Sequence, residues 1–289
     1  MEYSTLGRTG ATVSHLGFGG AVLGLKDYIY RFDPAEPGDR AKLFEAIDTA
    51  LSSGINLFDT APGYGSGESE RILGEALAGV TAVGEYPLFV STKVKFDVAG
   101  GIRASVEQSL TRLRRDRVDL VQLHGNSYTV EDTDRILGDG GAAQELLALK
   151  AEGLVGSIGF TSEDNNDSVY RLIRSGHFDT MQLCYNFLFQ HPHEPSRPFG
   201  TLLEAEKHGL GILTMRAPTS GTFQRWIQMV NPANTFDYTP ALIQFVLSNP
   251  LVDVALVGMR DADLVRRNVA IVNDTEGRID LDAVHERYV

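Results

Sequence analysis

Cysteine is almost absent from this chain of 289 residues, in which Cys184 is the only one. A single cysteine excludes an intramolecular disulfide and any cysteine-rich zinc site. Cys184 lies in the apolar run 181–185. We therefore interpret it as a small buried hydrophobic residue rather than as a reactive thiol.

Basic residues are also scarce, with 26 Lys and Arg against 38 Asp and Glu, which gives a formal net charge of −12. This balance argues against a nucleic-acid partner and against attachment to anionic lipid, because both need clustered positive charge. An anionic small ligand stays compatible with the composition, since one pocket can be positive on an acidic protein.

Long apolar runs are missing as well, because none approaches the roughly 20 residues that a membrane span needs. The N-terminal sequence Met-Glu-Tyr-Ser-Thr-Leu-Gly-Arg lacks the apolar core of a signal peptide. We therefore expect no membrane association and a cytoplasmic location.

Short apolar segments alternate with segments of helical periodicity along the chain. The predicted strands lie near residue 16 and at 55–59, 88–92, 118–123, 155–160, 180–185, 211–216 and 252–257. The predicted helices lie at 41–53, 68–78, 102–115, 142–152, 166–174, 200–208, 239–248 and 262–272. Eight strand–helix units predict an α/β fold, a (β/α)8 TIM barrel that forms one domain over residues 1–289. A β-hairpin at residues 2–14 would close the bottom of the barrel, and a doubly wound sheet is the alternative.

The longer irregular stretches, at 24–38, 125–141, 186–198 and 217–238, all follow predicted strands. In a barrel they would therefore gather at the carboxyl ends of the strands, where barrel enzymes carry their active sites. Candidate walls of a substrate pocket on these stretches are Tyr28, Tyr30, Tyr128 and Trp226.

Ionisable side chains follow three neighbouring predicted strands. Asp59, Lys93 and His124 lie at or just past the ends of strands two, three and four, and Tyr64 lies on the loop after the second. Each has an ordinary structural explanation by itself, as a loop cap, a solvated charge or a surface residue. All four in one barrel mouth need another explanation, because burial of a lysine requires a partner.

The four side chains make chemical sense around the tyrosine. The phenol of Tyr64 is a weak acid, a nearby ammonium of Lys93 favours its phenolate, and Asp59 would hold that lysine. His124 would hydrogen-bond the substrate oxygen or tune the phenol. Such a group can protonate an oxygen that is becoming an alkoxide, which is what carbonyl reduction by a nicotinamide hydride requires. A metal site is not expected, because one His and one Asp without a second His do not make a ligand set.

Several motifs are similar to those of the aldo-keto reductase family. They are the residues 6–10 (LGRTG), 16–20 (LGFGG), 56–61 (NLFDTA) with Tyr64-Gly65, 67–70 (GESE), 91–93 (STK), 119–124 (DLVQLH) and 258–260 (GMR) running to Asn268. They span nearly the whole chain in the family's order. The resemblance implies a (β/α)8 barrel, a nicotinamide cofactor that is usually NADP, and a catalytic tetrad formed by Asp59, Tyr64, Lys93 and His124, with Tyr64 as the acid–base.

The resemblance also implies cofactor contacts. Thr161-Ser162 stand where the family usually has Ser-Asn to hold the nicotinamide carboxamide, and Gln182 matches the family's amide-binding glutamine. After strand seven, Met215-Arg216-Ala217-Pro218 stand where many members have an aromatic residue that stacks on the nicotinamide, and none of these four is aromatic. The remaining candidate contacts are Gly19, Gly20, Met215, Arg216, Ala217, Ser220, Gly221, Gly258, Met259, Arg260 and Asn268.

Arg260 is the candidate clamp for a 2′-phosphate, because a guanidinium binds phosphate by bidentate charge-assisted bonds. Leu264 occupies the position of a second phosphate-binding arginine in some members, so NAD(H) stays open beside NADP(H). Neighbouring Arg266 and Arg267 would either compensate or carry solvated surface charge.

The sequence therefore predicts an oxidoreductase that reduces aldehydes or ketones, or oxidises the corresponding alcohols or sugars, with a small molecule as its partner. One alternative is a nicotinamide-binding regulatory protein on the same barrel. Another is a barrel enzyme that forms a Schiff base through Lys93. Neither the physiological substrate nor the oligomeric state follows from the sequence.

Overall fold

A closed barrel of eight parallel strands forms the centre of the protein, as seen in a computed structural model that describes residues 1–29, 31–194, 200–281 and 283. The strands are β1 Tyr3–Thr5, β2 Thr12–Ser14, β3 Leu16–Gly19, β4 Leu57–Asp59, β5 Ala82–Val83, β6 Tyr86–Pro87, β7 Phe89–Val94, β8 Val118–Leu123, β9 Val155–Ser162, β10 Thr180–Cys184, β11 Gly211–Met215 and β12 Val254–Val257. The barrel runs β3-β4-β7-β8-β9-β10-β11-β12 and closes where β12 pairs with β3. The predicted (β/α)8 barrel is thus confirmed.

Helices surround this barrel. They are α1 Ala21–Gly24, α2 Pro37–Ser52, α3 Glu68–Ala76, α4 Ile102–Leu113, α5 Val130–Leu137, α6 Ala142–Ala151, α7 Asp167–Arg174, α8 Thr201–Lys207, α9 Thr222–Val230, α10 Thr239–Leu247 and α11 Ala262–Asn273. All of them except α9, which has no buried residue, contribute side chains to the larger hydrophobic core around the barrel. Within the described ranges, none of these helices is long and apolar enough to cross a membrane.

The N-terminal hairpin closes the bottom of the barrel, as predicted. Strands β1 and β2 pair in antiparallel fashion, and the turn between them contains a 3₁₀-helix, Gly7–Thr9. Leu6 and Val13 are fully buried in a second hydrophobic cluster with side chains from the barrel interior, such as Leu57 and Leu213. Gly7 has a φ of +44°, and a Cβ there would lie 2.0 Å from the backbone nitrogen of Gly211, so only glycine fits this close approach.

The structure contains elements that the periodicity did not predict. Helix α5 begins within the stretch expected to be irregular after β8, where Thr129 and Asp132 form a reciprocal capping box. Helix α9 lies within the irregular stretch after β11, and α1 is a single turn after β3. A small hairpin, β5 with β6, precedes β7. These elements are short, so they give little periodic signal.

Candidate active site

A buried ion pair lies at the upper end of the barrel interior. Asp59 is the last residue of β4, and its carboxylate accepts a hydrogen bond from the Lys93 ammonium on β7. Lys93 also donates to the carbonyl of Thr60 at 2.9 Å, and Ser91 donates to the other Asp59 oxygen at 3.0 Å. Lys93 is 1% exposed and Asp59 is 3% exposed. The two charges are therefore held by each other and by fixed hydrogen bonds rather than by water.

Tyr64 lies directly beside this pair. The Lys93 nitrogen is 5.3 Å from the centroid of the Tyr64 ring, and the His124 ring stands edge-on to that ring at a centroid distance of 5.8 Å. The amide of Tyr64 donates to Ala61, and its carbonyl accepts from Ser69 at the start of α3. The structure thus brings together the four side chains that the strand ends predicted.

Close contacts of small residues fix the loop that carries Tyr64. The Ser69 hydroxyl donates to the carbonyl of Gly20 at 2.7 Å and lies 2.7 Å from the hydroxyl of Thr60. A Cβ on Gly24 would lie 2.2 Å from the Tyr64 carbonyl oxygen, so a glycine lets the first loop of the barrel pass against the tyrosine loop. These contacts give Tyr64 a defined position over the mouth.

Burial and neighbouring charges together set the pKa values of these groups. It raises the pKa of the Tyr64 phenol, and the Lys93 ammonium opposes that rise without cancelling it. The lysine acts in the predicted direction, but the net shift in the free protein favours the neutral phenol, which is the proton-donating form. Burial on its own would lower the pKa of Lys93, yet the Asp59 carboxylate and Tyr64 raise it above its ordinary value, so the lysine carries its charge.

His124 is the neutral member of the group. Burial, together with the charges of Lys93 and Lys95, lowers the pKa of its imidazole to about 4. Its backbone amide donates to the carbonyl of Val94 at 2.7 Å, which holds the residue just past the end of β8. At neutral pH His124 can therefore both donate and accept a hydrogen bond without bringing a charge into the mouth.

A cavity with two connected lobes opens over these residues. The inner lobe has a volume of about 290 Å³, and the outer lobe has a volume of about 250 Å³. Both are bounded by Tyr28, Ser220 and Gly258. The predicted site residues that line the inner lobe are Gly19, Gly20, Asp59, Tyr64, His124, Gln182, Met215, Arg216, Ser220 and Gly258. Those that line the outer lobe are Ser220, Gly221, Gly258, Arg260 and Asn268.

Four predicted cofactor residues do not line either lobe. Thr161 is buried, and its hydroxyl donates to the carbonyl of Gly125 at 2.7 Å and accepts from the amide of the same residue at 3.0 Å. The hydroxyl of Ser162 accepts from the Asp164 amide at 3.0 Å. These two side chains hold the loops after β8 and β9. Ala217 and Met259 are fully buried in the hydrophobic core.

Of the four residues predicted as walls of a substrate pocket, only Tyr28 lines the cavity among those that the structure describes. Tyr28 lines both lobes, whereas Tyr128 is 1% exposed and donates its hydroxyl to the Thr161 carbonyl at 2.9 Å. Trp226 lies on α9 with 55% of its surface exposed and outside the cavity lining. Tyr30 lies outside the described residues.

Asn126 also lines the inner lobe, although no motif in the sequence marks it as a site residue. Its position two residues after His124, at the end of β8, is the feature of the sequence that indicates a place near the cavity.

In the outer lobe, Asp237 and Arg267 form an ion pair, and both line the cavity with Arg260. A second pair, Arg216 with Glu163 at 2.6 Å, joins the loops after β11 and β9. No sequence spacing indicates such pairs between distant loops.

The loops around the cavity hold strained backbone. Arg216, Thr219 and Ser220 have φ between +50° and +61° on one side, and Asp27 and Ile29 have φ of +52° and +72° on the other. Positive φ is costly for residues other than glycine and collects at ligand sites. Helix α9 begins directly after the first of these loops.

The residues present fit a nicotinamide dinucleotide. Gln182 brings an amide side chain to the inner lobe, which Tyr64 also lines. Ser220 lines both lobes, and Gly221, Arg260 and Asn268 line the outer lobe. Such a set can meet a carboxamide, a pyrophosphate and an adenosine. Among the described residues, no group of three or more His, Cys, Asp or Glu side chains can hold a metal ion.

Residues 15–242 match the sequence model of a protein family described as "Aldo/keto reductase family". The chain belongs to the aldo-keto reductase family. The family resemblance of the motifs is therefore confirmed.

Individual members of this family are moderately similar to the chain. L-galactose dehydrogenase of Arabidopsis thaliana is 29% identical over 304 residues, covering 96% of this chain and 89% of the relative. The holo form of an aldo-keto reductase from Bacillus halodurans has a TM-score of 0.77 at 22% identity, covering 98% and 93% of the two chains. An aldo-keto reductase from Klebsiella pneumoniae in complex with NADPH has a TM-score of 0.72 at 20% identity, covering 99% and 94%. The two solved structures share the fold of this protein.

Proposed function

We propose that this aldo-keto reductase family member is an NAD(P)(H)-dependent oxidoreductase that interconverts a carbonyl compound and its alcohol, with Tyr64 as the general acid–base. The observation that carries the proposal is the position of the half-buried Tyr64 phenol at the cavity beside the buried Lys93–Asp59 pair. Barrels of this kind carry many reactions, so the proposal rests on these side chains rather than on the fold.

Each residue of the site has its own role in the proposed reduction of the carbonyl. A reduced nicotinamide held in the inner lobe, whose lining includes Gln182 and Ser220, would supply the hydride for the carbonyl carbon. Tyr64 then donates its proton to the carbonyl oxygen as negative charge develops there, and neutral His124 orients that oxygen by a hydrogen bond. Lys93 stabilises the phenolate left behind, and Asp59 keeps Lys93 charged and in place.

The charged state of Lys93 argues against the Schiff-base alternative. An amine must lose its proton before it attacks a carbonyl, and the Asp59 carboxylate raises the pKa of Lys93 instead. Lys93 also lies behind the cavity, 1% exposed, so a substrate carbonyl does not reach it directly.

We propose NADP(H) as the first cofactor to test and NAD(H) as the second. Arg260, half-buried at the outer lobe, supports a 2′-phosphate contact, and the Klebsiella pneumoniae relative binds NADPH. The Arg267–Asp237 pair weakens that preference, because it places a carboxylate in the same lobe and neutralises one of its cations. Leu264 adds no charge there.

Sugars and small aldehydes are the proposed substrates. The L-galactose dehydrogenase relative acts on a sugar by its name, and polar groups such as Asn126 and Arg216 line the inner lobe. Such groups can bind hydroxyls next to the reacting carbon.

The test is a panel of aldehydes, ketones and hexoses, including L-galactose, assayed with NADPH, NADH and their oxidised forms by nicotinamide absorbance. We expect turnover with at least one member, and its loss in Tyr64→Phe. A protein that binds the dinucleotide tightly and turns over nothing in the panel would instead be the regulatory alternative.

A further inference from the structure

Two buried, hydrogen-bonded amide side chains, Gln122 and Gln182, connect Asp59 across the barrel interior with the inner lobe of the cavity. Gln122 on β8 and Gln182 on β10 are 0% and 2% exposed, and Gln122 Nε2 donates to Gln182 Oε1 at 2.7 Å. The same Nε2 lies 3.2 Å from Ser91 Oγ and 3.4 Å from Asp59 Oδ1. None of the steps assigned to Tyr64, Lys93 or His124 uses this connection.

A glycine on the strand between them makes the crossing possible. Gly159 on β9 pairs with Gln122 on one side and with Thr180 on the other. A Cβ at Gly159 would lie 3.3 Å from Gln122 Cγ and 2.1 Å from Thr180 Oγ1. The missing side chain therefore leaves the interior space through which the Gln122 amide reaches Gln182.

The Asp59 carboxylate fixes which end of each amide points where. A carboxylate only accepts hydrogen bonds, so Gln122 must turn its NH₂ toward Asp59 and Ser91. Gln122 Oε1 is left without a hydrogen-bond partner in the part of the chain that the structure describes. A buried acceptor without a partner is costly, so the orientation is imposed by the carboxylate rather than by the needs of Gln122 itself.

This orientation in turn fixes Gln182. Its Oε1 is occupied by Gln122, so the Gln182 amide must present its NH₂ away from Gln122. The contact there is the sulfur of Met215 at 3.7 Å, a weak acceptor, and Gln182 and Met215 both line the inner lobe. The NH₂ of Gln182 therefore has donor capacity left for a ligand in the inner lobe, whereas its Oε1 already accepts from Gln122.

We propose that Gln122 is a positioning residue that locks Gln182 as a donor toward the inner lobe, where its NH₂ binds the carbonyl oxygen of the nicotinamide carboxamide. The ion pair that serves Tyr64 thereby also sets the polarity of the cofactor pocket. This inference rests on the proposed function.

Binding of cofactor analogues to the wild-type protein tests the polarity without any mutation. A 3-acetylpyridine dinucleotide keeps the carbonyl oxygen and lacks the carboxamide NH₂, whereas a thionicotinamide dinucleotide keeps the NH₂ and replaces the oxygen by sulfur, a poorer acceptor. Dissociation constants would be measured by calorimetry in the NADP or NAD series, whichever binds more tightly. We expect the acetyl analogue to bind within about threefold of the parent. We expect the thio analogue to bind about three- to tenfold more weakly, the range of one net hydrogen bond. The reverse order would overturn the proposed polarity.

Gln122→Met tests the positioning role. Without the Gln122 amide, Gln182 can rotate, so we expect binding of the parent to weaken about three- to tenfold and discrimination between the two analogues to fall within about twofold. Gln182→Met should lose the same discrimination, and the double variant should lose no more, because the two residues act through one contact. Gln244→Met is the matched control, since Gln244 is a buried glutamine on α10 whose amide donates to Ile271 and Asp274.

The outcomes separate this inference from the function on which it rests. If the wild-type protein binds no nicotinamide dinucleotide, the proposed function fails and the inference with it. If the wild type discriminates and Gln122→Met discriminates equally, or weakens all three ligands by one common factor, only the role of Gln122 is overturned.

Discussion

The two halves of the barrel mouth are built differently. The acid–base half, at the ends of β4, β7 and β8, has its charges buried and held by one another, as in the Lys93–Asp59 pair. The cofactor half, around the ends of β11 and β12, is made of loops with strained backbone and half-exposed ion pairs such as Arg267–Asp237. Buried pairs tolerate little change, whereas loop residues can be replaced without loss of the barrel.

This difference indicates how the reaction and its specificity are separated in the molecule. In the proposed function, the strand ends place Tyr64 as the proton donor, and burial raises the pKa of its phenol against the opposing charge of Lys93. The loops would then select the dinucleotide and the substrate. Mutations in the first half should therefore change the rate of the chemical step, and mutations in the second should change binding and selectivity.

The largest effect should come from Tyr64→Phe, which removes only the proton-donating hydroxyl. We expect kcat to fall by about 10² to 10⁴, the usual contribution of a general acid, with dinucleotide affinity nearly unchanged. Steady-state kinetics and a fluorescence titration with NADPH measure the two quantities. Retention of more than a tenth of the wild-type rate would remove Tyr64 from its assigned role.

Lys93→Met should reduce both turnover and stability. It leaves the buried Asp59 carboxylate without its partner, which costs about 3–5 kcal/mol in the free energy of unfolding. Chemical denaturation measures the stability, and Lys95→Met is the control, because Lys95 is an exposed lysine two residues away. Equal stability of the two variants would contradict a tightly held pair in the acid–base half.

Arg260→Leu should change selectivity rather than rate. Loss of charge-assisted bonds to a 2′-phosphate should weaken NADP(H) binding by about 10- to 100-fold and leave NAD(H) binding within about threefold. Arg266→Leu is the matched control, since Arg266 is exposed on α11 and pairs with Asp263. An equal loss of affinity for NADP(H) and NAD(H) would show that Arg260 does not bind the 2′-phosphate.

The pH dependence should be the mildest of these effects. The pKa of His124 is about 4, and the pKa of Tyr64 lies above its ordinary value, so both groups keep one protonation state between about pH 6 and 9. We expect kcat/KM for reduction to be flat in this range. Alcohol oxidation needs the phenolate and should rise with pH. In Lys93→Met that rise should move to higher pH, because Lys93 lowers the pKa of Tyr64.

The sequence predicted that the side chains of the acid–base half lie together, because strand ends have fixed geometry, and their catalytic roles stay a prediction. Once eight parallel strands were recognised, residues directly after neighbouring strands had to meet at one edge of the barrel, and Asp59, Lys93 and His124 do so. The sign of the Tyr64 shift was harder to foresee, since it depends on how much burial outweighs one lysine.

The cofactor half was predicted less completely because loop contacts have no periodicity. Tyr128 follows β8 as a pocket wall would, yet it turns inward and bonds the Thr161 carbonyl. Thr161 faces the loop at Gly125 rather than the cavity. The pairing of Arg267 with Asp237 joins residues 30 positions apart, and only the folded chain brings them together.

The central claim is that a hydride passes from the nicotinamide to a carbonyl carbon while Tyr64 supplies the proton. The most direct measurement uses reduced dinucleotide carrying two deuterium atoms at C4, with the isolated alcohol product analysed by mass spectrometry and NMR. We predict one deuterium on the carbinol carbon, a primary isotope effect on the chemical step, and product formation that is about 10² to 10⁴ slower in Tyr64→Phe under the same conditions. Alcohol product without deuterium on the carbinol carbon would contradict the account.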